Sequence, residues 1–387
     1  MRITHVITRL IIGGAQENTL SSVLGLRQKP GLEVKLVSGP STGPEGSLES
    51  LDPQLQIIPD LVRPVHPLKD SRALRELERL FRETRPDIVH THSGKAGVLG
   101  RLAAARAGVP IIVHTIHGPS FGNFQGALSN FIFRAAERRA GRVTTHFVSV
   151  ADAMTEQYLA AGIGRREQYT KIFSGFNLAP YLTAQNDPAL RAKLGLAPED
   201  IVIGKIARLF RLKGHDDLFG VAPELVRRNP RIKFLLIGDG EWRGKFENKT
   251  RELGLEKNVV FAGLVPPEEV PRCVGVMDAL VHLSLREGLP RALPQALAAG
   301  KPVVAYDCDG AREVCLDQKT GFLLPAGDLN GLTDKLARLA SDAPLRERFG
   351  QSGREFVREN FPVERMVDAL HALYLKLATD RGNRQHG

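Results

Sequence analysis

Short runs of continuously apolar residues, separated by longer amphipathic stretches, recur along nearly the whole chain. They constrain its fold more than any other feature. In the first half they are ITHVIT (3–8), VKLVS (34–38), DIVHTH (87–92), PIIVHTI (110–116) and HFVSVA (146–151). In the second half they are IVIGKIA (201–207), KFLLIG (233–238), VVFAG (259–263), ALVHLS (279–284), PVVAYD (302–307) and GFLLP (321–325). A strand with one wet face alternates apolar and polar residues. A strand buried on both faces does not, and parallel sheets covered by helices are built from such strands. Between the runs lie helical patterns such as DDLFGVAPELVRR (216–228) and RALPQALAAG (291–300). The rhythm runs twice, which predicts an α/β chain of two doubly wound, Rossmann-like parallel-sheet domains.

The length, 387 residues, fits two domains of about 150–200 residues each. The boundary is expected in residues 177–200, which carry prolines and small polar residues but no strand pattern. The expected division is 1–178 and 195–361, with one amphipathic helix over 362–380 and a frayed tail after it. Three cysteines, Cys273, Cys308 and Cys315, argue against a disulfide framework and for a reducing compartment. No CxxC or histidine companion accompanies them, which argues against zinc. The opening MRITHVITRL is too short an apolar run for a secretion signal, and no segment approaches the ~20 apolar residues of a membrane span. The expectation is a cytoplasmic protein. The net charge of +10 favours anionic partners: nucleotides, phosphates or an anionic lipid surface. Nucleic acid is disfavoured, because there is no RNP-like aromatic motif, zinc finger or long basic tract.

Four segments can carry chemistry. In HLSLREGLPRALPQALAAGKPVVAYD (282–307) a strand gives way to Glu287-Gly288, and a helix is expected from Pro290–Arg291. Free backbone N–H groups at such a turn can hold an anion, while Glu287 suits sugar hydroxyls. Gln295, eight residues on, can face the same crevice. The plain alternative is an ordinary βα turn with a solvated Glu. In IARLFRLKGHDDL (206–218), Arg208 and Lys213 flank a strand-end loop and can clamp a diphosphate, with Asp216 as cap of the next helix. A solvated basic loop is the alternative. Gly13-Gly14 follows the first strand and admits a ligand close to the backbone, although it is not a GxGxxG dinucleotide site. His117 follows the buried run 110–116. His90 and His92 alternate at a strand end, and metal binding would need a third ligand that the sequence does not place beside them. DCD (307–309) has the form of an Asp-x-Asp metal–nucleotide site, a short pattern common by chance.

Together these segments resemble the family-4 retaining glycosyltransferases of GT-B fold. The carriers are GGAQ (13–16), HTHSGKAGVLGRLAA (90–104), HTIHG (114–118), IARLFRLKG (206–214), LLIGDG (235–240), VVFAGLV (259–265), EGLPRALPQALAAGKPVVA (287–305) and GFLLPAGD (321–328). The resemblance implies two such domains facing a central cleft, the first on the acceptor side and the second holding the nucleotide-sugar donor. Gly13 and Gly14 would approach the donor diphosphate, and His117 the transferred sugar. Arg208 and Lys213 would hold the diphosphate, Val265 the base edge, and Glu287 the sugar hydroxyls. Gly288, Leu289, Pro290 and Arg291 would meet phosphate, Gln295 the ribose, and Gly310 and Glu313 the far wall. The final helix would cross back onto the first domain. The family is metal-independent, so no cofactor or metal is expected.

Two positions depart from the family pattern. Gln295 stands where the family has Glu, and FSGFN (173–177) stands for Asn-Gly-x-Asp. The expected reaction is retaining transfer from a nucleotide-diphosphate sugar, UDP-sugar favoured over GDP-sugar, to a hydroxyl of a glycan or lipid-linked acceptor. FIFRAAERRAGR (131–142) sets Phe131, Ile132 and Phe133 beside Arg134, Arg138, Arg139 and Arg142, a stretch able to lie on an anionic membrane face. Two other readings share the architecture: a nucleotide-sugar 2-epimerase, and a non-catalytic nucleotide-sugar-binding protein.

Overall fold

The computed structural model describes residues 1–42, 46–122 and 124–386. The chain divides into two compact units. One comprises Met1–Phe176 with Val363–Gly387, and the other comprises Asn177–Pro362.

The first unit holds strands β1 (Arg2–Arg9), β2 (Glu33–Gly39), β3 (Gln56–Ile57), β4 (Ile88–His92), β5 (Ile111–Ile116), β6 (His146–Ser149) and β7 (Tyr169–Lys171). Between them run helices α1 (Gly14–Leu26), α2 (Pro67–Thr84), α3 (Gly94–Arg106), α4 (Ala127–Gly141) and α5 (Asp152–Ala160). The sheet order is β3-β2-β1-β4-β5-β6-β7, all parallel. The two outermost strands are short and largely exposed or half-buried, so no apolar run marks them in the sequence.

Alternation along the strands sorts residues to two helix-covered faces. Ile3, Ile7, Ile88, Ile111 and Val113 pack with α1 and with the last helix of the chain, through Leu20, Val23, Leu370 and Tyr374. Val6, Val37, Val89 and Ile112 pack with α2 and α3, through Leu77, Phe81, Ala96 and Ala103. Each large aliphatic or aromatic side chain so buried contributes about 1.5–3 kcal/mol.

The second unit begins with α6 (Ala179–Leu182) and α7 (Pro188–Lys193). Residues 177–200 are built into this unit rather than strung out as a linker. Arg191 is buried, and its guanidinium donates to the carbonyls of Ala197, Asp200 and Val276. The strands are β8 (Ile201–Ile206), β9 (Ile232–Ile237), β10 (Val259–Gly263), β11 (Ala279–His282), β12 (Val303–Tyr306) and β13 (Gly321–Leu324). They lie in the order β10-β9-β8-β11-β12-β13, all parallel. Helices α8 (His215–Arg228), α9 (Arg243–Glu252), α10 (Val270–Gly275), α11 (Ala292–Ala298), α12 (Leu329–Ser341) and α13 (Ala343–Asn360) cover it. Asp328 and Asp342 cap α12 and α13, accepting from Gly331 N and Leu345 N at 2.9 Å each. Gly214, not Asp216, caps α8, and Asp216 lies in the first turn paired with Lys245 at 2.8 Å.

The chain then returns to the first unit as α14 (Val363–His386), which packs on α1. The helix runs on through the tail expected to fray, and Arg381 donates to the Pro110 carbonyl. Gly387, the end of that tail, lies outside the described residues. Among the described residues no helix is long and apolar enough to cross a membrane.

Candidate active site

In the second unit, β8 has β9 on one side and β11 on the other, so the chain leaves β8 and β11 in opposite directions. Ligands of doubly wound sheets bind at such a reversal, beyond the C-terminal strand ends. The loops there carry Lys213 and Glu287. Lys213 Nζ lies 2.5 Å from Glu287 Oε1 and 3.4 Å from Ser284 Oγ. Backbone bonds hold the two loops together: Leu285 N donates to the Leu212 carbonyl at 2.9 Å, and Ser284 Oγ to the same oxygen at 3.3 Å. Gly214 has φ +65°, and a Cβ there would come 2.0 Å from Leu283 O. Only glycine lets the Lys213 loop lie this close to β11. Glu287 N donates to Asp309 Oδ2 at 2.7 Å, and Gly310 N to Gly288 O at 3.0 Å, which fastens residues 309–313 to the same turn.

The electrostatics follow from burial and this pairing. Burial alone raises the Glu287 carboxyl, but Lys213 and then His282 outweigh it and hold the group below its ordinary value. His282 Nε2 is 3.7 Å from Glu287 Oε1, and burial pushes its imidazole down to about 3. Lys205, fully buried on β8, has no hydrogen-bond partner for Nζ among the described residues. Burial, with the positive charge of Lys213, lowers it to about 7 against the opposing pull of Glu287 and Asp217. His215 is also held neutral by burial, at about 3, and its Nε2–H donates to the Arg208 carbonyl at 3.0 Å.

Arg208 is exposed, with its guanidinium 5.6 Å above the Phe210 ring and not bonded to the Lys213–Glu287 pair. Gly288 and Pro290 are buried, and Leu289 and Arg291 half-buried. α11 starts at Ala292, one residue past the expected start, with Arg291 as its N-cap. Gln295 is half-buried one turn in. Gly310 is buried and Glu313 half-buried in the turn that Asp309 anchors. Val265 lies beyond β10, at the edge of the sheet, in the loop leading to α10. In DCD, Asp307 pairs with Arg312, Nε to Oδ1 at 2.8 Å, and Asp309 takes the Glu287 amide, so the chain itself engages both carboxylates.

In the first unit, α1 begins at Gly14, and Gly13 precedes it as N-cap with no side-chain cap bond. His117, half-buried just past β5, lies 3.0 Å from His92 Nδ1 through its Nε2. Behind it is a histidine cluster that the sequence does not reveal. His5 on β1 lies beside His90 and His92, supplying the third histidine that the sequence alone does not place there. The signal was present, since His5 and Ile3 share a strand face, but strand pairing is needed to bring β1 against β4. Ser174 accepts from Asn18 of α1 at 2.6 Å, and Asn177 turns back onto Ala179 N at 3.2 Å.

A family model described as glycosyl transferase 4-like domain matches residues 13–171, and one for glycosyl transferases group 1 matches residues 186–356. The chain is a family-4-type glycosyltransferase. As such, this glycosyltransferase moves a sugar from a nucleotide sugar. It is 27% identical to the UDP-Gal:alpha-D-GlcNAc-diphosphoundecaprenol alpha-1,3-galactosyltransferase of Escherichia coli, over 98% of both chains. It is 28% identical to the GDP-mannose-dependent alpha-(1-6)-phosphatidylinositol monomannoside mannosyltransferase of Mycolicibacterium smegmatis, over 76% of this chain and 78% of that one. Anabaena Alr3699/HepE in complex with UDP-glucose shares the GT-B fold with a TM-score of 0.81 and 22% identity, covering 97% of this glycosyltransferase and all of that chain.

Proposed function

We propose that the chain transfers a hexose from a UDP-sugar, with retention of anomeric configuration, to a hydroxyl of a lipid-linked glycan. The carrying observation is the half-buried Lys213–Glu287 pair at the reversal of the second sheet. Glu287, kept ionised, accepts from sugar hydroxyls. Lys213, held beside it, stabilises the charge that grows on the departing diphosphate, and Arg208 swings in from the surface to help. In this reading no side chain acts as a covalent nucleophile. The acceptor hydroxyl attacks on the face that the leaving phosphate vacates, and that phosphate takes its proton. In this reading the first unit is the acceptor side, and Gly13, Gly14 and His117 meet the donor from it. Val265, Gly288 to Arg291, Gln295, Gly310 and Glu313 line the donor's base, phosphate and ribose.

A UDP-sugar is favoured by the names of the Escherichia coli relative and of the Anabaena complex, and a lipid-linked acceptor by the former. The reaction runs without metal, a reading supported by the internal partners of Asp307 and Asp309. Membrane contact is supported by α4, where Leu128, Phe131 and Ile132 are exposed at helical spacing ahead of the exposed Arg138, Arg139 and Arg142.

The test is Lys213→Ala, assayed with UDP-hexoses and a diphosphate-lipid acceptor in the presence of EDTA. Turnover of the wild type should persist under EDTA, and the variant should lose about 10²–10³-fold in kcat with its melting curve intact. Near-normal turnover in the variant sinks the assignment. Product released from donor alone would instead mark an epimerase.

A further inference from the structure

Parallel pairing puts Cα of His5 opposite His90, and Cα of His92 opposite Thr115. By strand alternation His5, His90, His92 and Thr115 share the sheet face of Ile3, Ile88 and Val113, which α14 covers with Tyr374. All five side chains are buried. They form one unbroken chain of hydrogen bonds ending at His117. His117 Nε2 meets His92 Nδ1 at 3.0 Å, and His92 Nε2 meets His5 Nδ1 at 2.9 Å. His5 Nε2 meets the Tyr374 hydroxyl at 3.3 Å, which meets His90 Nδ1 at 2.5 Å. His90 Nε2 meets Thr115 Oγ1 at 2.6 Å.

Burial keeps these imidazoles neutral: His5 is pushed to about 3, His117 to about 4, and His90 and His92 well below the ordinary value. A neutral imidazole has one N–H and one bare nitrogen. Each link holds one hydrogen, and the Tyr374 hydroxyl cannot accept from both His5 and His90 without leaving its own buried hydrogen unmet, so the hydrogens point one way along the chain. If they point from His117 toward Thr115, the buried Thr115 hydroxyl hydrogen has no acceptor among the described residues. If they point from Thr115 toward His117, every hydrogen is used. An unmet buried donor is unfavourable, which selects the second arrangement.

We propose that this chain fixes His117 in a single tautomer, protonated on Nδ1, and that Tyr374 is the positioning residue that makes it continuous. The proposal rests on the reading that His117 contacts the donor. His117 Nδ1 makes no bond within the described residues, so its N–H is available to an oxygen of the sugar or phosphate. A nucleotide sugar would then meet a neutral, pre-oriented donor rather than an imidazole free to swap tautomers. A metal held by His5, His90 and His92 fits less well. Their ring nitrogens approach within 4.8 Å, but each is already engaged, and the His92 ring lies stacked on those of His5 and His90, with centroids 5.2 and 4.4 Å away.

The test uses the full chain labelled with ¹⁵N-histidine, where two-bond ¹⁵N–¹H correlations distinguish the tautomers and His117→Gln assigns the resonance. The wild type should show His117 as Nδ1–H. Tyr374→Phe, and separately Thr115→Val, should turn this into a mixture. Each should lower kcat about tenfold while leaving donor KM within about twofold. An Nε2–H tautomer in the wild type overturns the proposal, as does an unchanged His117 signal in both variants. Resonances of His5 and His90 that move with added zinc and return with chelator also overturn it, in favour of a metal site. If Tyr374→Phe shifts the tautomer while His117→Gln keeps full turnover, the chain stands and the donor contact falls.

Discussion

Lys205 illustrates what a single residue reports about the site. It is an ammonium-bearing side chain in the middle of a sheet, 1% exposed, and the charges that act on it are those of Lys213, Glu287 and Asp217. An unfolded lysine titrates near 10.5, and this one near 7. Between those values the unfolded chain binds the extra proton, so stability rises with pH across that window and is lowest below it. Lys205→Met should therefore stabilise the protein at pH 6, by about 1–4 kcal/mol on the scale seen when buried ion pairs are replaced by apolar residues. The advantage should shrink as pH climbs toward 10, read by thermal melts over that range. An equal difference at every pH would mean that the amine is not held neutral. The sequence showed Lys205 only as a polar interruption of IVIGKIA. Its setting depends on Lys213 and Glu287 approaching from two loops that meet only in the folded sheet.

Among the elements, α4 has the most divided character. Its inner half is anchored by Glu137, buried and paired with the buried Arg101 of α3 at 2.5 Å, with Ser120 Oγ donating to the same carboxylate at 2.9 Å. Its outer face leaves Phe131 72% and Leu128 73% exposed. Removing one partner of a buried pair strands the other, so Glu137→Ala should cost about 3–5 kcal/mol in denaturant unfolding. Replacing Phe131 and Ile132 with Ser should leave stability within about 0.5 kcal/mol, as changes at exposed sites do. The same pair of changes should abolish sedimentation with anionic vesicles at low salt. If sedimentation survives the double change, α4 is not the membrane contact. The composition of residues 131–142 was legible in sequence, but its orientation was not. Which face of an amphipathic helix is covered depends on Arg101, a residue 36 positions upstream of Glu137 whose side chain looks like a surface charge until α3 is packed.

At the scale of the whole molecule, the two parallel sheets were legible because strands buried on both faces cannot conceal their apolar runs. The edge strands β3 and β7 were not, since an edge strand need not be apolar. The turn bearing Glu287 was legible from its spacing, and its ion pair with Lys213 was not, because nothing local links positions 213 and 287. On the proposed reading the donor site exists only in the folded second unit, so UDP should raise the melting temperature. At about 100-fold over its dissociation constant the linkage is worth about 2.7 kcal/mol. GDP and ADP at the same concentration should shift the midpoint less than UDP, and equal shifts would leave the base unread by this protein. Gln295→Glu, restoring an acid on α11, is the variant in which that preference should sharpen.

The return of α14 to the first unit also sets an order of events during synthesis. Leu370, Leu373 and Tyr374 complete the core that β1 and α1 begin, yet they leave the ribosome only after residues 177–362. The nascent amino-terminal sheet must wait with one apolar face uncovered while the intervening segment is made. The histidine face is sealed from water only once α14 has left the ribosome and docked on α1.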